Sequence, residues 1–218
     1  DIGITSRRIN EGEINTLKAA GLGDLSTLKS EIIIALDGVS VIVNNNNPVN
    51  RLSVEQLSDI FSGAITNWSQ VGGNAGEIKV YSMDEKSGTY DTFKSFIFKD
   101  KDIKSDAVRL VNGNDIAGKI SSDINAIGFT GFSYTGNAKP VAISQDGAEP
   151  MFPTAFNIAT EDYYLSRRLY IYCPENTKNS YATELIDYII DEQGQSVLKN
   201  NDLISMNIEV DEDYKLID

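Results

Sequence analysis

Apolar residues in this chain recur at two spacings, and the two alternate from one end to the other. Helical spacing comes with marked start signals. Asn10 precedes Glu13 at capping-box distance, Ile9 and Ile14 stand where a hydrophobic staple needs them, and Gly21 supplies a stop. The same arrangement recurs at Ser53 and Gln56, with Leu52 and Leu57 as staple and Gly63 as terminator; Val54, Leu57, Ile60 and Phe61 then fall on one face. Further helical periodicity runs through Phe93, Phe96 and Ile97, through Ile116, Ile120 and Ile124, and through Tyr181, Leu185, Tyr188 and Ile189. A short helix is expected near Gly194–Leu198.

Between these helices lie short apolar runs that read as strands, at residues 2–4, 32–36, 39–43, 78–81, 126–129, 140–143 and 169–173. Strands alternating with helices predict an α/β fold with a mostly parallel sheet. The two long β segments, 32–43 and 167–173, are the candidates for strands that join two lobes. The run Asn44–Asn47 before Pro48 reads as a turn. The acidic stretch from Glu209 to Asp213 reads as solvated surface.

Composition narrows the function more than the fold. The 218 residues carry 32 acidic against 19 basic side chains, a net charge of −13. A field of that sign repels polyanions, which argues against nucleic acid and anionic membrane surfaces as partners. It leaves room for a small buried anion held by local donors and a helix dipole. No run approaches the ~20 apolar residues of a membrane-spanning helix. The chain has no histidine, which removes Ser–His and Cys–His nucleophile pairs and every histidine-containing metal site. Its single cysteine, Cys173, lies in the apolar stretch LYIYC and is expected in the core. No cofactor or metal site and no catalytic carboxylate pair is expected.

Two segments could hold an anion. In KSGTYDTF, Ser87, Gly88 and Thr89 place two hydroxyls and a side-chain-free backbone at the start of a helix, where unpaired amides and the positive dipole end attract negative charge; the same triplet also serves as a plain N-cap. In ITSRR, Thr5 and Ser6 offer hydroxyls just past the first strand, and Arg7 or Arg8 offers a planar fork that matches an oxyanion. Two solvated arginines on a loop would leave the same trace. The S-x-x-K of Ser26–Lys29 lacks the companion motifs of penicillin-binding enzymes, and the Asn67-Trp68-Ser69 sequon is of a kind that arises by chance. The segment from Gly113, GNDIA, reads as a helix start whose Asn and Asp could face a cleft.

Taken in order, DIGITSRRI, ALDGVSVIVNNNNPV, LSVEQLSDIFSGAITNWSQVGG, SGTYDTF, AIGFTG and LSRRLYIY resemble the phosphate-binding proteins of phosphate ABC importers over nearly the whole chain, residues 52–73 most specifically. The resemblance is nearest to a subgroup followed by an OmpA-like peptidoglycan-binding domain. It implies a type II periplasmic-binding-protein-like fold, two α/β lobes joined by two crossing hinge strands. Lobe I is expected from residues 1–43 and 167–218 with its N-terminal part missing, lobe II from 44–166. By motif, Ser87, Gly88 and Thr89 match the family's phosphate loop, and Thr5, Ser6 and Arg7 its first-lobe loop. The implied role is non-catalytic capture of phosphate or a related tetrahedral oxyanion in the periplasm or cell envelope, for an ABC permease. An adhesion or scaffold module that keeps the fold without the ligand is the alternative.

Two departures from the family stand out. Met83 occupies a position where the family commonly has arginine, and Arg7 one where some relatives have aspartate. The chain opens directly on a strand pattern, with no signal peptide ahead of it, so an incomplete first-lobe sheet with an exposed edge is expected.

Overall fold

The computed structural model describes residues 2–98, 100–145 and 147–207. In chain order the elements are β1 (Gly3–Thr5), α1 (Glu11–Ala19), β2 (Glu31–Val43), β3 (Arg51–Ser53), α2 (Val54–Ser62), β4 (Lys79–Met83), α3 (Gly88–Ile97), β5 (Val108–Leu110), α4 (Gly113–Ser122), β6 (Ala126–Gly131), β7 (Lys139–Pro140), β8 (Ala142–Ser144), α5 (Ala155–Ala159), β9 (Ser166–Tyr172), α6 (Ser180–Ile190) and α7 (Glu192–Lys199). The chain divides into two compact units, Asp1–Asp37 with Arg167–Asp218, and Gly38–Ser166. Strand β2 runs through the first boundary, and β9 begins at the second.

In the first unit β9 lies between β1 and β2, and it pairs antiparallel with β1 in the register Gly3↔Tyr172, Ile4↔Ile171, Thr5↔Tyr170. Ile34, Ile171, Cys173, Ala182 and Ile186 form one core cluster; Leu25, Tyr170 and Tyr172 form another, flanked by Ile9, Leu17 and Ile33. Cys173 is buried, as its apolar context led one to expect. β1 is an edge strand among the described residues, with Ile4 67% exposed.

Helix α6 forms where its periodicity places it, but it turns a different face inward. Ala182 and Ile186 are buried, whereas Tyr181, Leu185 and Tyr188 are exposed. Ile189, of the same expected stripe, is partly buried against the cluster that holds Ala182 and Ile186. Where α6 meets α7, a Cβ at Gly194 would stand 2.0 Å from the Tyr188 carbonyl oxygen, so this junction admits only glycine. The neighbouring Gln195 is buried and fully used. Its amide donates to the carbonyls of Ile34 and Ile189, and its carbonyl accepts from the Ser205 hydroxyl and the Met206 amide. The acidic stretch from Glu209 lies outside the described residues.

In the second unit the order is β2, β6, β4, β5. β4 pairs parallel with both β5 and β6, β2 runs antiparallel to β6, and β3 pairs parallel with β8 in a small separate sheet. The sheet is therefore mixed and not mostly parallel. The crossover helices α3 and α4 enforce parallel neighbours on β4, β5 and β6, whereas β2 meets β6 running the opposite way. Phe129 of β6 stacks on Phe93 of α3, and a Cβ at the adjacent Gly128 would touch Ile116 of α4. Successive strand residues point to opposite faces, so α3 and α4 cover opposite sides of the sheet. Both helix N-termini thereby open at the carboxyl ends of β4, β5 and β6, the edge where open α/β sheets place ligands.

Capping supports these helices as the sequence led one to expect. Asn10/Glu13 and Ser53/Gln56 form complete reciprocal capping boxes, and Gly63 takes the left-handed conformation that stops α2. Trp68, within the 52–73 block, is 1% exposed and donates its indole N–H to the Asn125 carbonyl. Ile124 falls past the end of α4 and is 46% exposed.

Candidate functional site: the loop between β4 and α3

The segment from Asp84 to Ser87 is tied to β5 and to itself by hydrogen bonds. The Asp84 amide donates to the Leu110 carbonyl of β5, the Lys86 amide to the Asp84 carboxylate, and the Ser87 amide to the Asp84 carbonyl. Ser87 is the N-cap of α3; its hydroxyl accepts from the Thr89 amide at 3.2 Å. The first i→i−4 bond of the helix runs from the Asp91 amide to the Ser87 carbonyl. Gly88, Thr89 and Tyr90 therefore belong to the first turn, where the cap hydroxyl of Ser87 already takes the Thr89 amide. The positive end of the helix dipole lies at this turn, which makes it the candidate surface for an anion.

The charges around the loop are mixed. Asp84, Glu85 and Asp91 are acidic and Lys86 is basic. Met83 is 7% exposed at the end of β4. One strand over, Arg109 places its Nε 3.1 Å from the Glu85 carboxylate. That contact lies outside hydrogen-bond angles, since Nε has no hydrogen-bond partner among the described residues. It is a charge–charge contact. Sequence reading passed over Arg109 because the strand that carries it is three residues long and shows no alternation.

A second feature lies at the same strand ends. Ser40 of β2 and Thr130 of β6 are register partners; both are 0% exposed and neither hydroxyl has a hydrogen-bond partner among the described residues. The Thr130 hydroxyl would stand 2.2 Å from a Cβ at Gly113, the first residue of α4. Glycine at that position is what allows the helix start to approach the sheet so closely.

The other predicted donors, Thr5, Ser6 and Arg7, lie together in the first unit just past β1. The Thr5 hydroxyl accepts from the Arg7 amide at 3.4 Å. The Arg7 guanidinium makes a two-pronged pair with Glu13, at 2.8 and 2.7 Å, and also donates to the Arg8 carbonyl. Arg7 first, and then the Asn10 amide, hold the Glu13 carboxyl at about 2, well below the usual carboxylate range. Arg8 pairs with Glu31 at 2.8 Å, and Glu31 also accepts from the Tyr172 hydroxyl. Burial is the main reason that hydroxyl is pushed up to about 12. Each arginine in this loop thus has a carboxylate partner.

Among the described residues there is no cluster of metal-ligating side chains, and no helix is long and apolar enough to cross a membrane.

Comparison with known proteins agrees with this architecture. The family described as "PBP superfamily domain" matches residues 1–193. The phosphate-binding protein PstS of Staphylococcus saprophyticus is 31% identical over 205 residues, covering 90% of this chain and 62% of the relative. An ABC-type phosphate transport receptor from Vibrio cholerae superposes with a TM-score of 0.78 at 28% identity, covering 94% of this chain and 79% of that one. A Clostridium perfringens protein solved with phosphate bound is 34% identical, with a TM-score of 0.72 and coverage of 94% and 78%. The chain spans about three-fifths of the length of the curated relatives it matches. The chain belongs to the family of PBP superfamily domains, and within it is similar to the PstS-like proteins.

Proposed function

We propose that this chain is the ligand-gripping part of an extracytoplasmic solute-binding protein that captures phosphate for an ABC importer. The observation that carries this reading is the start of α3. There Ser87, Gly88 and Thr89 begin a helix whose positive end lies at the carboxyl edge of the sheet. A tetrahedral oxyanion suits that surface, because charge-assisted hydrogen bonds contribute roughly 1.5–3 kcal/mol each and the helix dipole adds to them. Within the first unit, Thr5, Ser6 and Arg7 are a further candidate donor loop, in which the Arg7–Glu13 pair holds the guanidinium in place and offsets its charge.

The role is binding and not catalysis. An ABC permease is the partner that such a receptor requires, and the outer face of the cytoplasmic membrane is its place of work. Phosphate, arsenate and sulfate, each titrated at matched ionic strength and followed by thermal unfolding, test this reading. An anion at ~100 times its dissociation constant adds about 2.7 kcal/mol, which raises the midpoint by several degrees. Phosphate and arsenate are expected to give that shift. No shift with any of the three would favour a scaffold module that keeps the fold without the ligand, a reading to which buried Met83 and the carboxylate-paired arginines lend support.

A further inference from the structure

We propose that Arg109 is a positioning residue of the anion loop, holding the Glu85 carboxylate away from the ligand and cancelling its charge. The inference rests on the reading that the Ser87-Gly88-Thr89 turn binds an oxyanion.

Three observations support it. First, β5 braces the loop at two adjacent residues, since Leu110 accepts the Asp84 amide through its backbone while Arg109 reaches Glu85 with its side chain. The register Ser82↔Arg109 and Met83↔Leu110 sets both beside the end of β4, where the loop begins. Second, Glu85 lies two residues before Ser87, and its carboxylate is 62% exposed, so without a partner it is free to swing toward the turn. A like charge within roughly a Debye length, about 8–10 Å, weakens anion binding by about tenfold at low salt and by less at high salt. Third, Lys94, a cation that also feels the charge of Glu85, is paired with Asp102 at 3.0 Å, and the Lys86 amide donates to Asp84. Arg109 is the cation in ion-pair contact with Glu85. With Arg109 28% and Glu85 62% exposed, the pair is partly open to solvent, which is why its effect on the anion is expected to depend on salt.

Titration calorimetry with inorganic phosphate, at about 20 mM and about 300 mM ionic strength, tests this on wild type, R109Q, E85Q and the double variant. R109Q is expected to bind about tenfold more weakly at low salt, with the defect shrinking at high salt. E85Q is expected to bind as well as wild type or better, and R109Q/E85Q to recover to within about threefold. A salt-independent R109Q defect that E85Q does not rescue would make Arg109 a purely structural residue and overturn the inference. So would an R109Q variant that binds like wild type. Absence of binding by wild type would instead overturn the underlying reading of the turn.

Discussion

Phe93→Ala is expected to lower the unfolding free energy of the second unit by about 3–5 kcal/mol, measured by urea titration with tryptophan fluorescence. Phe93 is fully buried. It stacks on Phe129 with centroids 3.9 Å apart, tilts against Phe61 at 4.7 Å and meets Phe98 edge-on at 6.3 Å. Removing it strips one side from each of those contacts and leaves a cavity between α3 and the sheet. The same helix begins with the Ser87-Gly88-Thr89 turn, so this cluster also fixes where the turn points. Phe93→Leu, which keeps most of the volume, is expected to cost well under half as much. A loss below about 1 kcal/mol for the alanine variant would mean that the ring cluster does not anchor the helix.

Asp37→Ala is expected to destabilise the first unit by about 3–5 kcal/mol. Arg167 donates to one Asp37 carboxylate oxygen through both Nε and Nη2, at 2.8 and 2.5 Å, and the side chains are only 10–11% exposed. Asp37 is the last residue before β2 leaves the first unit, and Arg167 the first after β9 enters it, so the pair ties the two connecting strands together where the chain changes unit. Most of the cost comes from leaving a buried guanidinium without its carboxylate and not from the pair's net worth. Replacing both residues with apolar ones, Asp37→Leu with Arg167→Met, is therefore expected to recover most of the loss in urea titrations followed by circular dichroism, since the one tryptophan, Trp68, lies in the second unit. A double variant no better than Asp37→Ala would contradict that assignment.

How much of this was readable in advance depended on local chemistry. The capping boxes at Asn10 and Ser53 announce helices because they are satisfied within four residues of chain. The Ser-Gly-Thr turn announces itself for the same reason. Features set by distant partners were not readable. Residues 32–36 and 39–43 read as two apolar runs within one long β segment, 32–43, and they form the single strand β2; what the sequence does not show is that Arg167 holds Asp37 and that Gly38 leaves room for the Ile158 side chain. Residues 140–143 read as one strand but are divided at Val141, whose amide bonds to β2 while the next amide bonds to Asn50. Strands β3 and β5 and helix α5 are too short to show a period. The inward face of α6 was misjudged because bulk and contact do not coincide there.

The site followed the same division. Ser87, Gly88 and Thr89 were legible as a helix start from the residues themselves, whereas the Arg109–Glu85 contact depends on the pairing of β4 with β5. The carboxylate partners of Arg7 and Arg8 show a similar split. Glu13 lies only one helical turn into α1, while Glu31 comes from β2.

The central claim is that the first turn of α3 grips phosphate, and calorimetric titration of phosphate into wild type and Gly88→Asp tests it most directly. Aspartate is well tolerated in the first turn of a helix, so the variant is expected to fold with an unchanged unfolding midpoint. Its carboxylate would stand where the anion must approach. The expected result is one-site binding by wild type and a loss of at least about 100-fold in the variant, equivalent to about 2.7 kcal/mol. A variant that binds phosphate as tightly as wild type would show that the ligand, if any, is held elsewhere.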